Sequence, residues 1–375
     1  MSSWQKKAFR SGLNYIYNIM YDNKKLHNFV KNIFLETGCS DEDSTTVADV
    51  LLAAELRGIE SHGLLRIPDY INLWKTKRIN SKPEINIIYQ TPSTAVVDGD
   101  SAFGMIAAKK SMKIAIAKAE TCGTGWVSTR NSNHFGIAGY YAIMALKHDM
   151  IGIAMTNANP LVAPTFSVDR LLGTNPIAVA VPAYQQPPYV ADFATTPIAR
   201  GKLDLMHKKG LKAPFGFVQD AEGNPSNDPN ILTEKGAILP LGGDYEHGSH
   251  KGYCLGSIVD ILSAMLSGAG FGPWVPPSVA YLPVLNNDEV KGTGHFFGAM
   301  RIDAFRPADD FKKGMDKWIQ TFRNSKPAKG YEKVLIPGDI EREMERIKKK
   351  NGISINDKVK IELEKIADEF NLKLP

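Results

Sequence analysis

Apolar positions near the start of the chain recur at helical spacing. From Lys24 onward, Leu26, Phe29, Val30, Ile33 and Phe34 share one face of a 3.6-residue period, and Gly38 closes that helix. Ser40-Asp41-Glu42-Asp43 supplies an N-cap and first-turn acids for a second helix with Val47, Val50, Leu51, Ala54 and Leu56 on its apolar face. Helical pattern continues to His62, and a third helix is predicted from Leu65 to Trp74. The texture then changes. Glu84 to Asp98 reads as two strands about a turn at Thr91-Pro92-Ser93. Phe103 to Glu120 is an Ala-rich helix, Gly125 to Thr129 a short strand, and Phe135 to His148 another helix. Ile151 to Thr156, Ile177 to Pro182 and Tyr189 to Ala191 read as strands. Leu203 to Leu241 is rich in Lys, Gly, Pro, Asn and Asp and predicts a loop or lid. Gly252 to Leu266 is an apolar helix, Asp303 to Phe322 an amphipathic one, and Asp339 to Phe370 a charged helical tail. Strands and helices mixed between helical ends define an α/β (mixed) chain.

Composition narrows the class. With 375 residues, 43% hydrophobic and 23% charged, the chain is long enough to bury a substantial core, and disorder is excluded as its main state. The net charge of +5 is spread thinly. The densest basic run, Arg346 to Lys350, follows Glu341, Glu343 and Glu345 and reads as a solvated helix face, so nucleic acid is not an expected partner. Cys39, Cys122 and Cys254 are widely spaced and form no CxxC pair, which predicts neither a zinc site nor a disulfide framework; Cys254 reads as a small buried residue. No uncharged apolar run of membrane-spanning length occurs, so no membrane association is expected. Met1 to Tyr21 carries Lys6, Lys7 and Arg10 without an acid and reads as an N-terminal extension, although an organelle transit peptide has similar composition. A reducing, cytoplasmic setting is the expectation.

Familiar phosphate cradles are missing. Neither G-x-G-x-x-G nor G-x-x-x-x-G-K-[ST] occurs, and H-E-x-x-H and EF-hand loops are absent, so no metal site is expected. Three segments concentrate polar chemistry instead. Arg57 to Arg66 packs Ser61, His62 and Arg66 around glycines; Arg66 offers a fork for a carboxylate, while Ser61 equally suits a helix N-cap. Arg130 to Gly136 follows a strand and precedes a helix, a favoured place for ligands, and His134 within it can exchange a proton near neutral pH; an ordinary turn histidine has the same local pattern. Gly242 to Tyr253 is glycine-rich and runs into the apolar helix, where Lys251 and a helix N-terminus suit an anion such as a pyrophosphate; a flexible loop with an ordinary cap fits equally. Between them lie the turn Gly173-Thr174-Asn175-Pro176 and the strand end Asp192-Phe193-Ala194.

These segments together resemble the malate/L-lactate dehydrogenase family of the second, non-Rossmann type, related to sulfolactate and ureidoglycolate dehydrogenases and cyclic imino-acid reductases. The resemblance is carried by RGIESHGLLRIPDY (Arg57–Tyr70), NSNHFG (Asn131–Gly136), GTNPIA (Gly173–Ala178), DFATTPIARGK (Asp192–Lys202), HKGYCLGSIVDILS (His250–Ser263) and LIPGD (Leu335–Asp339), in family order. It implies a non-Rossmann NAD(P)-binding domain with a large mixed sheet, packed on a helical domain formed by both chain ends. The corresponding division is an extension over 1–21, a first helical part over 22–98, an NAD(P)-binding and substrate domain over 99–305 with an inserted loop at about 203–248, and C-terminal helices over 306–375. It also implies a homodimer with NAD or NADP as cofactor and a small 2-oxo or 2-hydroxy acid as substrate.

By resemblance, His134 is the acid/base residue, with Ser61 and His62 beside it as a pocket pair that relays protons. Arg66, Tyr70, Thr174 and Asn175 are expected to bind substrate. Phe135, Gly136, Asp192, Phe193, Ala194, Lys251, Gly252 and Asp303 are expected to contact the cofactor. Arg130, Lys202 and Arg342 are the basic candidates for a cofactor 2′-phosphate. A cyclic imino-acid reductase would use the same residues on a C=N bond. A catalytically silent binding or scaffold protein of the same fold is the reading from a different class. The compound that oxidises NAD(P)H separates the three.

Overall fold

The computed structural model describes residues 19–285, 287 and 289–375. Most of the expected N-terminal extension, residues 1–18, lies outside the described residues. In chain order the helices are α1 (Asn23–Glu36), α2 (Asp41–Leu56), α3 (Ile67–Lys75), α4 (Gly104–Cys122), α5 (Ala138–Met144), α6 (Arg200–Lys208), α7 (Ser249–Asp260), α8 (Ala308–Arg323), α9 (Asp339–Asn351) and α10 (Asp357–Glu369). The strands are β1 (Met20–Tyr21), β2 (Asn86–Gln90), β3 (Thr94–Asp98), β4 (Thr124–Ser132), β5 (Met150–Thr156), β6 (Ile177–Val181), β7 (Tyr189–Phe193), β8 (Val218–Gln219), β9 (Pro225–Ser226), β10 (Ala237–Ile238), β11 (Thr293–Arg301) and β12 (Ile353–Ser354). The described residues divide into two compact units, one made of 19–68 with Val181–Val190 and Ile302–Pro375, the other of Asp69–Ala180 and Ala191–Arg301.

The first unit is mainly helical and draws on both parts of the chain expected to be helical. Asp22 caps α1 by accepting from the Lys24 and Lys25 amides at 3.0 and 2.9 Å, and Ser40 caps α2 by accepting from the Asp43 amide at 3.1 Å. The apolar face of α1, from Leu26 to Phe34, is buried as its spacing predicts. The C-terminal tail is not one helix. It breaks at Gly352, whose φ of 90° favours glycine, and a Cβ there would lie 2.6 Å from the Tyr21 carbonyl. The break frees β12 to pair antiparallel with β1. Nor is the basic run on α9 wholly solvated. Lys348 is 2% exposed, and its ammonium donates to the Glu55 carbonyl at 2.9 Å and to Glu60 Oε1 at 2.8 Å.

The second unit carries a seven-stranded sheet in the order β2-β3-β4-β11-β5-β6-β7. Strands β3 and β4 pair in parallel, and α4 lies between them in sequence as the crossover that a parallel pair requires. The β2–β3, β4–β11, β11–β5 and β5–β6 pairings are antiparallel. The sheet is therefore mixed and differs from the doubly wound parallel sheet of Rossmann enzymes.

Two departures from the sequence pattern shape this unit. Strand β11 sits at the centre of the sheet between β4 and β5, yet Gly294, His295 and Gly298 interrupt its apolar run. The stretch expected to be a loop from Leu203 onward holds most of α6 and a three-stranded sheet in the order β10-β8-β9. Leu203, Val218, Ile231 and Ile238 from this stretch form a buried cluster with Val162, Leu172 and Ile198. Helix α7 continues through a π-helical turn, Ile261–Met265, and Cys254 on it is exposed, contrary to its reading as a small buried residue.

Candidate active site

The polar segments of the second unit meet at one edge of its sheet. Because β4 and β5 both run antiparallel to β11, their C-terminal ends share an edge with the start of β11; β6, antiparallel to β5, starts there too. Strand β4 reaches this edge at Ser132, further than expected, and the chain then leaves regular structure until α5 begins at Ala138. His134 lies in that irregular link.

Side chains secure the link. The Asn133 amide donates to the Ser101 and Ala102 carbonyls at 3.0 and 2.9 Å. The buried Tyr141 hydroxyl donates to the Phe135 carbonyl; burial, followed by Tyr140 and Tyr70, pushes that phenol well above its ordinary pKa, so it keeps the proton it donates. Gly104 gives the link room, since a Cβ there would stand 2.1 Å from the Asn133 carbonyl oxygen.

His134 is half-buried. Its Nδ1 lies 2.7 Å from the Tyr70 hydroxyl, and the Gly136 amide approaches the same nitrogen at 3.5 Å. Tyr70 is 1% exposed, with its ring edge-on to Phe103 at 6.4 Å. Tyr70, expected to bind substrate, thus has its hydroxyl against His134 and its ring in the core.

The other candidates form a connected belt. One Asp192 oxygen accepts from the Gly139 amide at 2.8 Å, joining the end of β7 to the start of α5. Asp192 and Phe193 lie within β7 rather than after it, and Phe193 is exposed. The Thr195 amide donates to the Thr174 carbonyl at 2.9 Å, which ties the strand end to the Gly173–Pro176 turn. Asn175 is fully buried, its amide donating to the Gly256 carbonyl at 3.0 Å and its oxygen accepting from the Ala158 amide at 3.1 Å. Asn175, expected to bind substrate, thus pins the turn to α7 from the interior, whereas Thr174 stays half-buried. Lys251 is exposed in the first turn of α7. Gly252 is buried, and a Cβ on it would sit 2.2 Å from the Leu241 carbonyl, so packing against that loop accounts for the glycine.

The remaining candidates belong to the first unit. Ser61 and His62 occupy a 3-10 turn, Glu60–His62, so Ser61 is not the N-cap its type allows. The Ser61 hydroxyl lies 2.9 Å from His62 Nδ1, and Arg66 Nε donates to the Ser61 carbonyl at 2.9 Å. Burial, then the Arg66 charge, holds His62 down to about 4, so the ring is neutral near pH 7. Behind the turn, Glu55 accepts from the Leu64 amide at 2.8 Å, and burial raises its carboxyl to about 7. Gly63 is required here because a Cβ would stand 2.2 Å from Glu55 Oε1. Asp303 is exposed in the turn that follows β11.

The three basic candidates for a 2′-phosphate stand apart from one another in their surroundings. Arg130 pairs with Asp98 at 3.0 Å. Arg342 donates to Asp339 at 2.7 Å and to the Pro188 carbonyl at 2.7 Å; the aspartate of LIPGD also takes Arg323 at 3.1 Å, which makes that motif a structural latch. Lys202 is exposed on α6.

One residue at the site carried no sequence signal. His295, on β11, is completely buried and stacks on Phe135 with ring centroids 4.7 Å apart. A single histidine in a strand that periodicity does not reveal has nothing around it to mark it.

A family model described as malate/L-lactate dehydrogenase matches residues 21–364. Malate dehydrogenase of Pyrococcus abyssi is 41% identical over 350 residues, 93% of this chain and 94% of that protein. The structure of sulfolactate dehydrogenase from Methanocaldococcus jannaschii superposes with a TM-score of 0.86 at 38% identity, covering 95% of this chain and 98% of that one. Malate dehydrogenase from Entamoeba histolytica superposes at 0.87 with 34% identity, covering 96% and 100%. A mixed, non-Rossmann sheet with an edge-mounted histidine therefore belongs here to an oxidoreductase that moves hydride between a nicotinamide cofactor and a small hydroxy acid. The chain belongs to the malate/L-lactate dehydrogenase family.

Proposed function

We propose that the protein interconverts 2-oxo and 2-hydroxy acids of the malate/lactate class with NAD or NADP, and that His134 is the residue that moves the proton. The observation that carries this reading is the contact of the buried Tyr70 hydroxyl with His134 Nδ1, which orients the ring and supports Nε2 as the nitrogen that exchanges the proton. Hydride comes from the reduced nicotinamide when it is bound. In reduction, His134 gives its Nε2 proton to the carbonyl oxygen of the 2-oxo acid; in oxidation it takes that proton back. Arg66 offers its planar fork to the substrate carboxylate, and Ser61 with the neutral His62 is the proposed proton-relaying pair. Thr174 faces the substrate from its turn.

The donor set suits a dinucleotide. Lys251 brings a cation to the positive end of α7, and Phe193 exposes an apolar ring at the same sheet edge. Phe135, Gly136, Asp192, Ala194, Gly252 and Asp303 complete the proposed cofactor contacts, with Asp192 and Gly252 acting through the backbone they hold. Arg130, Lys202 and Arg342 are the basic candidates for a 2′-phosphate, and Lys202 is exposed on α6.

The protein is proposed to act as a homodimer, for which the exposed apolar residues of α7 are the argument taken up below. Three unpaired cysteines fit a reducing, cytoplasmic compartment. Among the described residues no helix is long and apolar enough to cross a membrane, and no cluster of His, Cys, Asp or Glu suits a metal ion.

The test is steady-state oxidation of NADH and NADPH with oxaloacetate, pyruvate, sulfopyruvate and a cyclic imino acid. Turnover of a 2-oxo acid is expected, and replacing His134 with Ala should lower kcat by roughly 10², while cofactor still raises the melting temperature. Turnover of the imine alone moves the assignment to a reductase. No turnover and no thermal shift with either cofactor would make the protein a silent binding or scaffold member of the family. Near-normal turnover by the Ala variant removes His134 from its role.

A further inference from the structure

We infer that His295 is a positioning residue for His134, a neutral imidazole that holds the catalytic link in place by stacking and moves no proton itself. The inference rests on the acid–base role proposed for His134.

The link from Asn133 to Ile137 has neither helix nor strand bonding of its own, so the place of His134 depends on what its neighbours grip. On one side Asn133 is tied to the Ser101 and Ala102 carbonyls. On the other, Phe135 lies flat on His295, with an angle of 8° between the rings. An apolar plate of similar size would fill that volume, yet the position holds an imidazole, 0% exposed, at the centre of the sheet.

The difference lies in what the ring nitrogens touch. His295 Nδ1 is 2.7 Å from the Thr156 hydroxyl of β5, and Nε2 is 2.8 Å from the Ser132 hydroxyl of β4. Both flanking strands therefore clamp the ring, and a ring bonded at two opposite corners can neither flip nor slide. A neutral imidazole offers one donor and one acceptor; the Thr156 hydroxyl donates to the Asn157 and Gly294 carbonyls and so accepts from Nδ1–H, and Nε2 accepts from the Ser132 hydroxyl. Ser132 is two residues before His134 and Phe135 one residue after it, so His295 restrains the link on both sides of the catalytic histidine.

Charge on this ring would be costly. Burial pushes His295 down to about 3, against a smaller opposing pull from the backbone at Asn133. It stays neutral over the working pH range and acts through geometry. Small misplacements of a reacting group cost rate steeply, on the order of 10²-fold for about 1 Å.

The test uses Ser132→Ala, which removes one clamp by deleting a single oxygen, and His295→Phe, which keeps the plate and removes both clamps. Each is made in the wild-type and His134→Ala backgrounds. In wild type each is expected to lower kcat by about tenfold or more, within the range set by misplacement. Cofactor Kd and substrate KM should change less than about twofold, and the limb of the kcat/KM pH profile that reports His134 should shift. In the His134→Ala background neither should lower the residual rate further, because residues acting as one unit are not additive. Equal fractional losses in both backgrounds would show a general structural role and overturn the inference. So would an unchanged kcat for Ser132→Ala, which decides the matter if His295→Phe fails to fold. If His134→Ala itself turns over normally, the acid–base reading fails instead, whatever the two clamp variants do.

Discussion

At the scale of single residues, the contact between Tyr70 and His134 decides how one imidazole serves both directions of the reaction. In both working states, the charged ring and the neutral ring left once Nε2 has given up its proton, Nδ1 carries a proton that the Tyr70 hydroxyl accepts. The 2.7 Å contact therefore holds throughout the proton transfer without moving a heavy atom. Tyr70→Phe should leave the buried ring packed against Phe103 and the melting temperature within a few degrees. It should lower kcat/KM by roughly tenfold, as expected for weakened acid–base catalysis, and move the His134 limb of its pH profile. If Tyr70 touched substrate instead, KM would rise with kcat intact, and that split would refute the role given to it here. Sequence placed Tyr70, Asn175 and His134 near the chemistry but could not rank them. Spacing along the chain says which residues are neighbours, whereas burial and hydrogen-bond partners separate the buried Tyr70 and Asn175 from the half-buried His134.

At the scale of elements, legibility followed one-sidedness. Helices α1 and α2 have caps and apolar faces that their composition announces. Strand β11 is almost wholly buried, so no alternation marks it, and its glycines mimic a loop. The region after Leu203 misled for a related reason: strands of two residues have no period, and its core forms only with Val162, Leu172 and Ile198 contributed from elsewhere in the chain. Helix α7 was read correctly as apolar, but its apolar residues do not all go inward. Leu255, Ile258, Ile261, Met265 and Leu266 are exposed along it and its π-helical extension, and a run of that kind marks a protein–protein surface. A second copy of the chain is the proposed occupant. Light scattering should give twice the 41.2 kDa chain mass, and Ile258→Asp with Met265→Asp should shift the protein toward monomer while the circular-dichroism spectrum is kept. A wild-type mass of one chain at micromolar concentration would refute the dimer.

At the scale of the whole molecule, three titrating groups with shifted pKa values set opposing dependences of stability on pH. His295 and His62 are held down to about 3 and about 4, against an ordinary value of 6.5. Once unfolded, they bind protons that the folded chain refuses, so the stability they contribute above pH 6.5 drains away as pH falls toward their folded values. Glu55 works in the opposite sense. Burial raises it to about 7 from 4.5, with Glu60 adding to the rise and the Leu64 amide and Lys348 opposing it. Its contribution is complete below pH 4.5 and is lost as pH climbs through 7, where a carboxylate must be ionised beneath the turn that carries Ser61, His62 and Arg66. Glu55→Gln isolates this arm, because the amide oxygen still accepts from Leu64 and the group never ionises. The melting temperature of the variant minus that of wild type should increase from pH 5.5 to pH 8.5. A difference that stays flat or falls across that range would mean that Glu55 is already ionised in the folded protein at pH 5.5, with Lys348 or water satisfying its charge.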